Sequence, residues 1–210
     1  MTADDLWAAS AACGLFARFF RPGLEADLLR RCAEGQVFEA WPLPADDGAL
    51  GLLRQVCAGL TEATLADIER DNTALFIGPE HPVPMWESVW TTTERLLFAD
   101  CTGQVRQAMA RAGLAAPEAA NEPADHLALE LALLAALLAR AGQAVEAGED
   151  GRADLAAARA FLADHPARWA DACLAEVGRR AATDFYRGAS GLGRATLAGL
   201  QASLAAITPS

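Results

Sequence analysis

Positive charge is the first thing this chain lacks. Seventeen basic residues stand against 28 acidic ones, a net charge of −11, and a phosphate backbone requires a basic face that such a composition can scarcely supply. Nucleic acid is therefore not an expected partner, and a basic ligand is favoured. Paired cysteines are missing too. Cys13, Cys32, Cys57, Cys101 and Cys173 are far apart, odd in number and include no C-x-x-C. That spacing argues against a zinc knuckle, an iron-sulfur cluster and a disulfide framework, and leaves buried reduced thiols as the expectation. Long apolar runs are scarce: the best, residues 127–139, contains Glu130, so no stable membrane insertion is expected. Asp4 and Asp5 stand where an export leader would carry basic residues, which makes the cytoplasm the expected location. There is no repeat, no G-x-x-x-x-G-K-[ST] and no G-x-G-x-x-G after a strand. The glycines between Gly188 and Gly193 read as an ordinary helix–helix turn.

No stretch alternates with β-branched enrichment, whereas alanine and leucine dominate. The expected fold is all-α, about ten helices in one domain of 210 residues. Residues 113–121, with Gly and Pro and no periodicity, are the best candidate for a hinge. They would divide an N-terminal lobe of about 1–113 from a C-terminal lobe of about 122–210, and a monomer or a dimer is compatible with either.

The periodicity predicts helices over 3–20, capped at Thr2, then 24–34 and 48–58. A fourth begins after Thr61, with Leu65, Ile68, Asn72 and Leu75 or Phe76 on its stripe. Residues 75–88, L-F-I-G-P-E-H-P-V-P-M-W-E-S, then break the pattern. Three prolines deny this stretch helix and central-strand geometry, yet it is unusually apolar, so it either plugs a core or lines a groove. A helix is predicted beyond it with Trp86, Val89 or Trp90, Thr93, and Leu96 or Leu97 on one face. Thr102 is the predicted cap of the next, which ends at Ala112. Asn121 or Glu122 should open a largely buried helix carrying Leu127, Leu131, Leu134 and Leu138. His165-Pro166 interrupts the pattern, and Leu197, Leu200, Leu204 and Ile207 form a final stripe. Arg30-Arg31 and Arg179-Arg180 read as solvated faces.

Glu122 to Glu130, E-P-A-D-H-L-A-L-E, is the stretch richest in polar groups. His126 and Glu130 share a helical face and Asp125 adjoins the histidine. Four readings stay open: a metal site, for which only two ligands are well placed; an acid–base pair, without a recognisable nucleophile; a cap made by Asp125 with His126 bonded to a neighbouring loop; and a polar anchor for a peptide. His81 and His165 have no partner at ligand spacing.

Together these stretches resemble the TorD/DmsD family of redox-enzyme maturation chaperones. Leu75-Phe76, Gly78-Pro79 and Trp86-Glu87-Ser88-Val89-Trp90 match its L-F-x-G-P and P-W-x-S-V-aromatic elements, and Thr102, Val105-Arg106 and Gly113 continue the likeness. Glu122-Pro123-Ala124-Asp125-His126 matches E-P-x-D-H, and Phe161, His165 and Trp169 match F-x-x-x-H-x-x-x-W. The likeness runs from about Leu65 to Cys173, with Met85, Met109 and Pro166 departing from the usual pattern. The resemblance implies a cytoplasmic, non-enzymatic chaperone with no cofactor or metal of its own. It would bind the twin-arginine leader of a molybdopterin-containing oxidoreductase precursor. By the same analogy Leu75, Phe76, Trp86 and Trp90 would line the apolar groove, with Glu87, Ser88, Asp125 and His126 at its polar end. An assembly chaperone of the NarJ type, and a nucleotide-acting hydrolase using His126, Asp125 and Glu130, are the alternatives.

Overall fold

The computed structural model describes residues 1–79, 81–114 and 122–207. Among them are ten helices and no strand: α1 Ala3–Phe19, α2 Ala26–Glu34, α3 Asp47–Ala58, α4 Glu62–Phe76, α5 Glu87–Thr91, α6 Asp100–Arg111, α7 Leu127–Glu146, α8 Arg152–Asp164, α9 Pro166–Arg180 and α10 Asp184–Ala205. The expected all-α architecture is what the chain adopts. Most of the expected hinge, residues 115–121, lies outside the described residues.

α1 starts where the sequence supplies a reciprocal cap. The Asp5 N–H donates to the Thr2 hydroxyl at 3.2 Å and the Thr2 N–H donates back to the Asp5 carboxylate at 2.8 Å. Its apolar stripe, Leu6, Ala9, Cys13 and Phe16, is fully buried, and lies along α7 in the most extensive helix pairing of the fold. A Cβ added at Gly142 of α7 would sit 3.4 Å from Leu6 Cβ, and the Ser10 hydroxyl donates to the Ala135 carbonyl at 2.8 Å. Residues from both expected lobes thus share one core. α7 is long and apolar enough, by length and composition alone, to cross a bilayer, contrary to the reading of residues 127–139, but half of its apolar window is buried within the fold. The helix runs on past residue 139, and that added length changes the outcome.

Four boundaries differ from the periodicity. The helix expected from Trp86 to Leu97 stops at Thr91, because the Thr91 and Thr92 hydroxyls donate to the Glu87 and Ser88 carbonyls at 2.9 and 2.6 Å and the Thr92 backbone turns extended. Leu96, Leu97 and Phe98 are consequently exposed, between left-handed residues Arg95 and Phe98. α6 begins at Asp100 after Ala99, so Thr102 lies inside the helix and caps nothing. α7 begins at Leu127, with Ala124 and Asp125 in a turn before it. The stretch from Gly188 to Gly193 is no turn: it is the interior of α10, and its glycines let α3 approach. A Cβ at Gly188 would meet Leu53 Cγ at 2.8 Å and the Ala49 carbonyl at 2.9 Å, and one at Gly191 would meet Ala49 Cβ at 2.8 Å.

All five cysteines are free; Cys13, Cys32 and Cys173 are buried, whereas Cys57 and Cys101 are partly covered. Burial pushes the Cys13 thiol up to about 12, which leaves it unreactive.

Gly188→Ala should lower stability by about 1–3 kcal/mol through overpacking against backbone. Gly103→Ala, in α6 with open space around it, should raise stability by about 0.5–1 kcal/mol. Denaturant midpoints of the two variants check the contrast.

Candidate functional site at the junction of residues 77–88 and the start of α7

The loop leaves α4 on two backbone bonds, Ile77 and Gly78 N–H both donating to the Thr73 carbonyl at 2.9 and 2.7 Å, and is pulled back when Val83 N–H donates to the Leu75 carbonyl at 2.8 Å. Val83 and Met85 then enter the core. The Pro84 carbonyl, which a helix or sheet would have used, accepts instead from Trp90 Nε1 at 2.7 Å.

Next the loop pairs with residues 125–127. Glu87 N–H donates to the Asp125 carbonyl at 2.9 Å and Leu127 N–H to the Met85 carbonyl at 2.8 Å, an antiparallel bridge that sets Trp86 opposite His126. The two sequence motifs are therefore one backbone unit.

Asp125, buried to 0% exposure, works across elements. One carboxylate oxygen accepts from the Ser88 N–H at 2.9 Å, and the other from the Thr102 hydroxyl at 2.7 Å. It thus satisfies a free N–H in the first turn of α5 and grips the first turn of α6. The Cys101 thiol lies 3.9 Å away. The expected capping roles are exchanged: His126, not Asp125, caps α7, its Nδ1 accepting from the Ala128 N–H at 3.1 Å. That bond leaves the ring proton on Nε2. Burial, opposed by Asp125 and reinforced by Arg21, pushes the imidazole down to about 4. The Trp86 ring meets it edge to face at 5.5 Å, while Trp86 Nε1 donates to Glu122 at 2.5 Å.

Of the eight residues singled out, six are interior. Leu75, Phe76, Glu87, Ser88, Asp125 and His126 are all at most 8% exposed. Phe76 packs edge to face on Tyr186 at 5.5 Å, whose hydroxyl accepts from Asn72 at 2.6 Å and donates to the Phe19 carbonyl at 3.2 Å. Trp86 and Trp90 alone of the eight reach the surface in part. Arg95 stands over the Trp90 ring at 5.8 Å, and the next three residues in the chain, Leu96, Leu97 and Phe98, are exposed.

Sequence reasoning missed one cluster. His165 has no partner at ligand spacing in the sequence, yet its Nδ1 lies 2.8 Å from a Glu87 oxygen. Glu130, expected beside His126, accepts from Trp169 Nε1 at 3.1 Å. Burial first, and then Glu87, hold the Glu130 carboxyl well above the usual carboxylate range. The available signal was the four-residue step Phe161, His165, Trp169: Phe161 lies 4.9 Å from the His165 ring.

The profile of the family described as nitrate reductase delta subunit matches residues 43–175. The chain is 34% identical over 165 residues to the Tat proofreading chaperone DmsD of Salmonella typhi, covering 78% of this chain and 72% of that protein. Its counterpart of the same name in Salmonella paratyphi A is 35% identical over the same shares. A third, from Salmonella typhimurium, is 37% identical over 87 residues, 41% of this chain and 40% of that protein.

Asp125→Ala strands the Ser88 N–H and the Thr102 hydroxyl and should cost about 2–4 kcal/mol; Asp125→Asn, which keeps one acceptor, should cost less. Chemical denaturation followed by circular dichroism measures both. His126 should stay neutral down to pH 5, visible as an unshifted ring resonance in a proton NMR titration. Unfolded histidine takes up its proton near 6.5 and folded His126 only near 4, so the unfolded state binds more protons in that window and stability falls with the pH. The loss should reach about 3 kcal/mol by pH 4, and should be absent from the pH dependence of a His126→Asn variant.

Proposed function

The chain belongs to the nitrate reductase delta subunit family, and on that premise we propose that it is a proofreading chaperone in molybdoenzyme maturation. In this reading it works in the cytoplasm without making or breaking a bond. It binds the N-terminal twin-arginine leader of a molybdopterin-containing oxidoreductase precursor and keeps the precursor from export until the cofactor is inserted.

The observation that carries the reading is the continuity of buried polar frame and exposed aromatic edge at one place. Asp125 and His126 fix the starts of α5 and α7, and the chain leaving that point carries half-buried Trp86 and Trp90 and then exposed Leu96, Leu97 and Phe98. A twin-arginine leader is a basic segment followed by an apolar one, and its receptor needs carboxylates beside an apolar surface. The net charge of −11 suits the first part and the aromatic edge the second. Among the motif residues, Trp86 and Trp90 are assigned direct contact with the leader. Leu75, Phe76, Glu87, Ser88, Asp125 and His126 are assigned to holding them in place, because interior groups act on a ligand through what they position.

A synthetic twin-arginine leader from a molybdoenzyme precursor, titrated calorimetrically into the purified chain, should bind with an affinity that weakens as salt rises. Trp86→Ala should weaken it about tenfold or more, as expected of a partly buried aromatic anchor, with the helical circular dichroism signal unchanged. Undetectable binding by the folded wild-type chain would overturn the proposal. Equal binding of a leader with both arginines replaced by alanine would move the assignment to a client of the non-exported type.

A further inference from the structure

Glu87, Glu130 and His165 come from α5, α7 and the junction of α8 and α9, yet one donor atom from each lies within 4.8 Å of the others. All three side chains are buried. His165 Nδ1 faces Glu87, and Trp169 holds one Glu130 oxygen. The other Glu130 oxygen, Oε1, is buried without a hydrogen-bond partner. Among the described residues, no arginine is paired with either carboxyl. Two carboxyls facing each other in a core cost on the order of several kcal/mol unless a proton or a cation joins them.

We propose that Glu87, Glu130 and His165 form a buried site for one divalent cation of the zinc or cobalt class. Two carboxylates and one imidazole are a donor set such ions accept. Bonds of about 2.0–2.2 Å to three donors span donor separations up to roughly 4 Å, so side-chain shifts of under about 1 Å complete the shell and leave a fourth position for water. Trp169 orients Glu130 from outside, as partners of ligating carboxylates do. Of the three donors, His165 also lines a surface cleft of about 670 Å³, together with Leu137 and Phe161. On binding, the proton carried between the Glu130 and Glu87 carboxyls leaves to solvent, His165 keeps its single ring proton on the nitrogen that does not face the ion, and the two positive charges balance the two carboxylates. The ion then pins α5, α7 and α9 together, beneath the edge formed by Trp86 and Trp90.

The chain, treated with a chelator and dialysed, is titrated with cobalt(II) and followed by visible absorption. One equivalent should bind, giving weak d–d bands without an intense thiolate-to-cobalt band, and should raise the thermal unfolding midpoint. Glu130→Gln and His165→Asn should each weaken binding about tenfold or more, with folding checked by circular dichroism. No binding by the wild-type chain overturns the proposal, and in that case a shared proton joins the carboxyls. A thiolate band removed by Cys101→Ser, or an affinity unchanged in a folded variant, overturns it equally. Should both variants misfold, the wild-type stoichiometry and spectrum decide.

Discussion

The Asp125 carboxylate, with no exposed surface, accepts from the Ser88 N–H and from the Thr102 hydroxyl, and its own backbone carbonyl accepts from Glu87. Two bonds to α5 and one to α6 make this residue, two positions before α7, the point at which the three elements agree on their positions. α5 is a single turn and α6 has no side-chain cap of its own, so neither would hold its place by propensity alone. Charged hydrogen bonds in a dry setting are the stronger kind, and for α5, whose buried residues are Glu87 and Ser88, they substitute for apolar contacts.

Around that point depth does not follow polarity. Glu87, Ser88, Asp125 and His126 lie inside with Leu75, Phe76, Val83 and Met85, whereas some large apolar side chains nearby in the chain reach the surface: Trp86 and Trp90 in part, Leu96 and Phe98 for about two thirds of their surface. Buried polar groups define one geometry for the backbone, and exposed apolar groups of this size are a common mark of an interface.

Much of this could be read from residue order. Helices with a cap and a sustained stripe, such as the one after Thr2 and the one after Thr61, form where the periodicity puts them, because both their start signal and their buried face are local. The failures share a different cause. Whether Thr102 caps a helix or grips Asp125 is decided by a residue 23 positions away. Whether Asp125 or His126 caps α7 depends on the bridge that draws the carboxylate toward Ser88. Gly188 and Gly191 read as a turn because the sequence does not show α3 lying against them. His165 and Glu87 are 78 positions apart, and no spacing rule reaches that far. Which of the singled-out residues touch solvent was likewise hidden, since Trp86 and Phe76 have the same chemistry and opposite surroundings.

The exposed run from Leu96 to Phe98 has a consequence for how such a chain changes over generations. It is bounded by two left-handed residues and sits outside any helix, so its side chains add little to the free energy of folding. Substitutions there are nearly neutral for stability and are felt only by whatever rests on that edge. If a partner rests on that run, folding and partner choice are carried by separate residues, and the second can change while the first stands still.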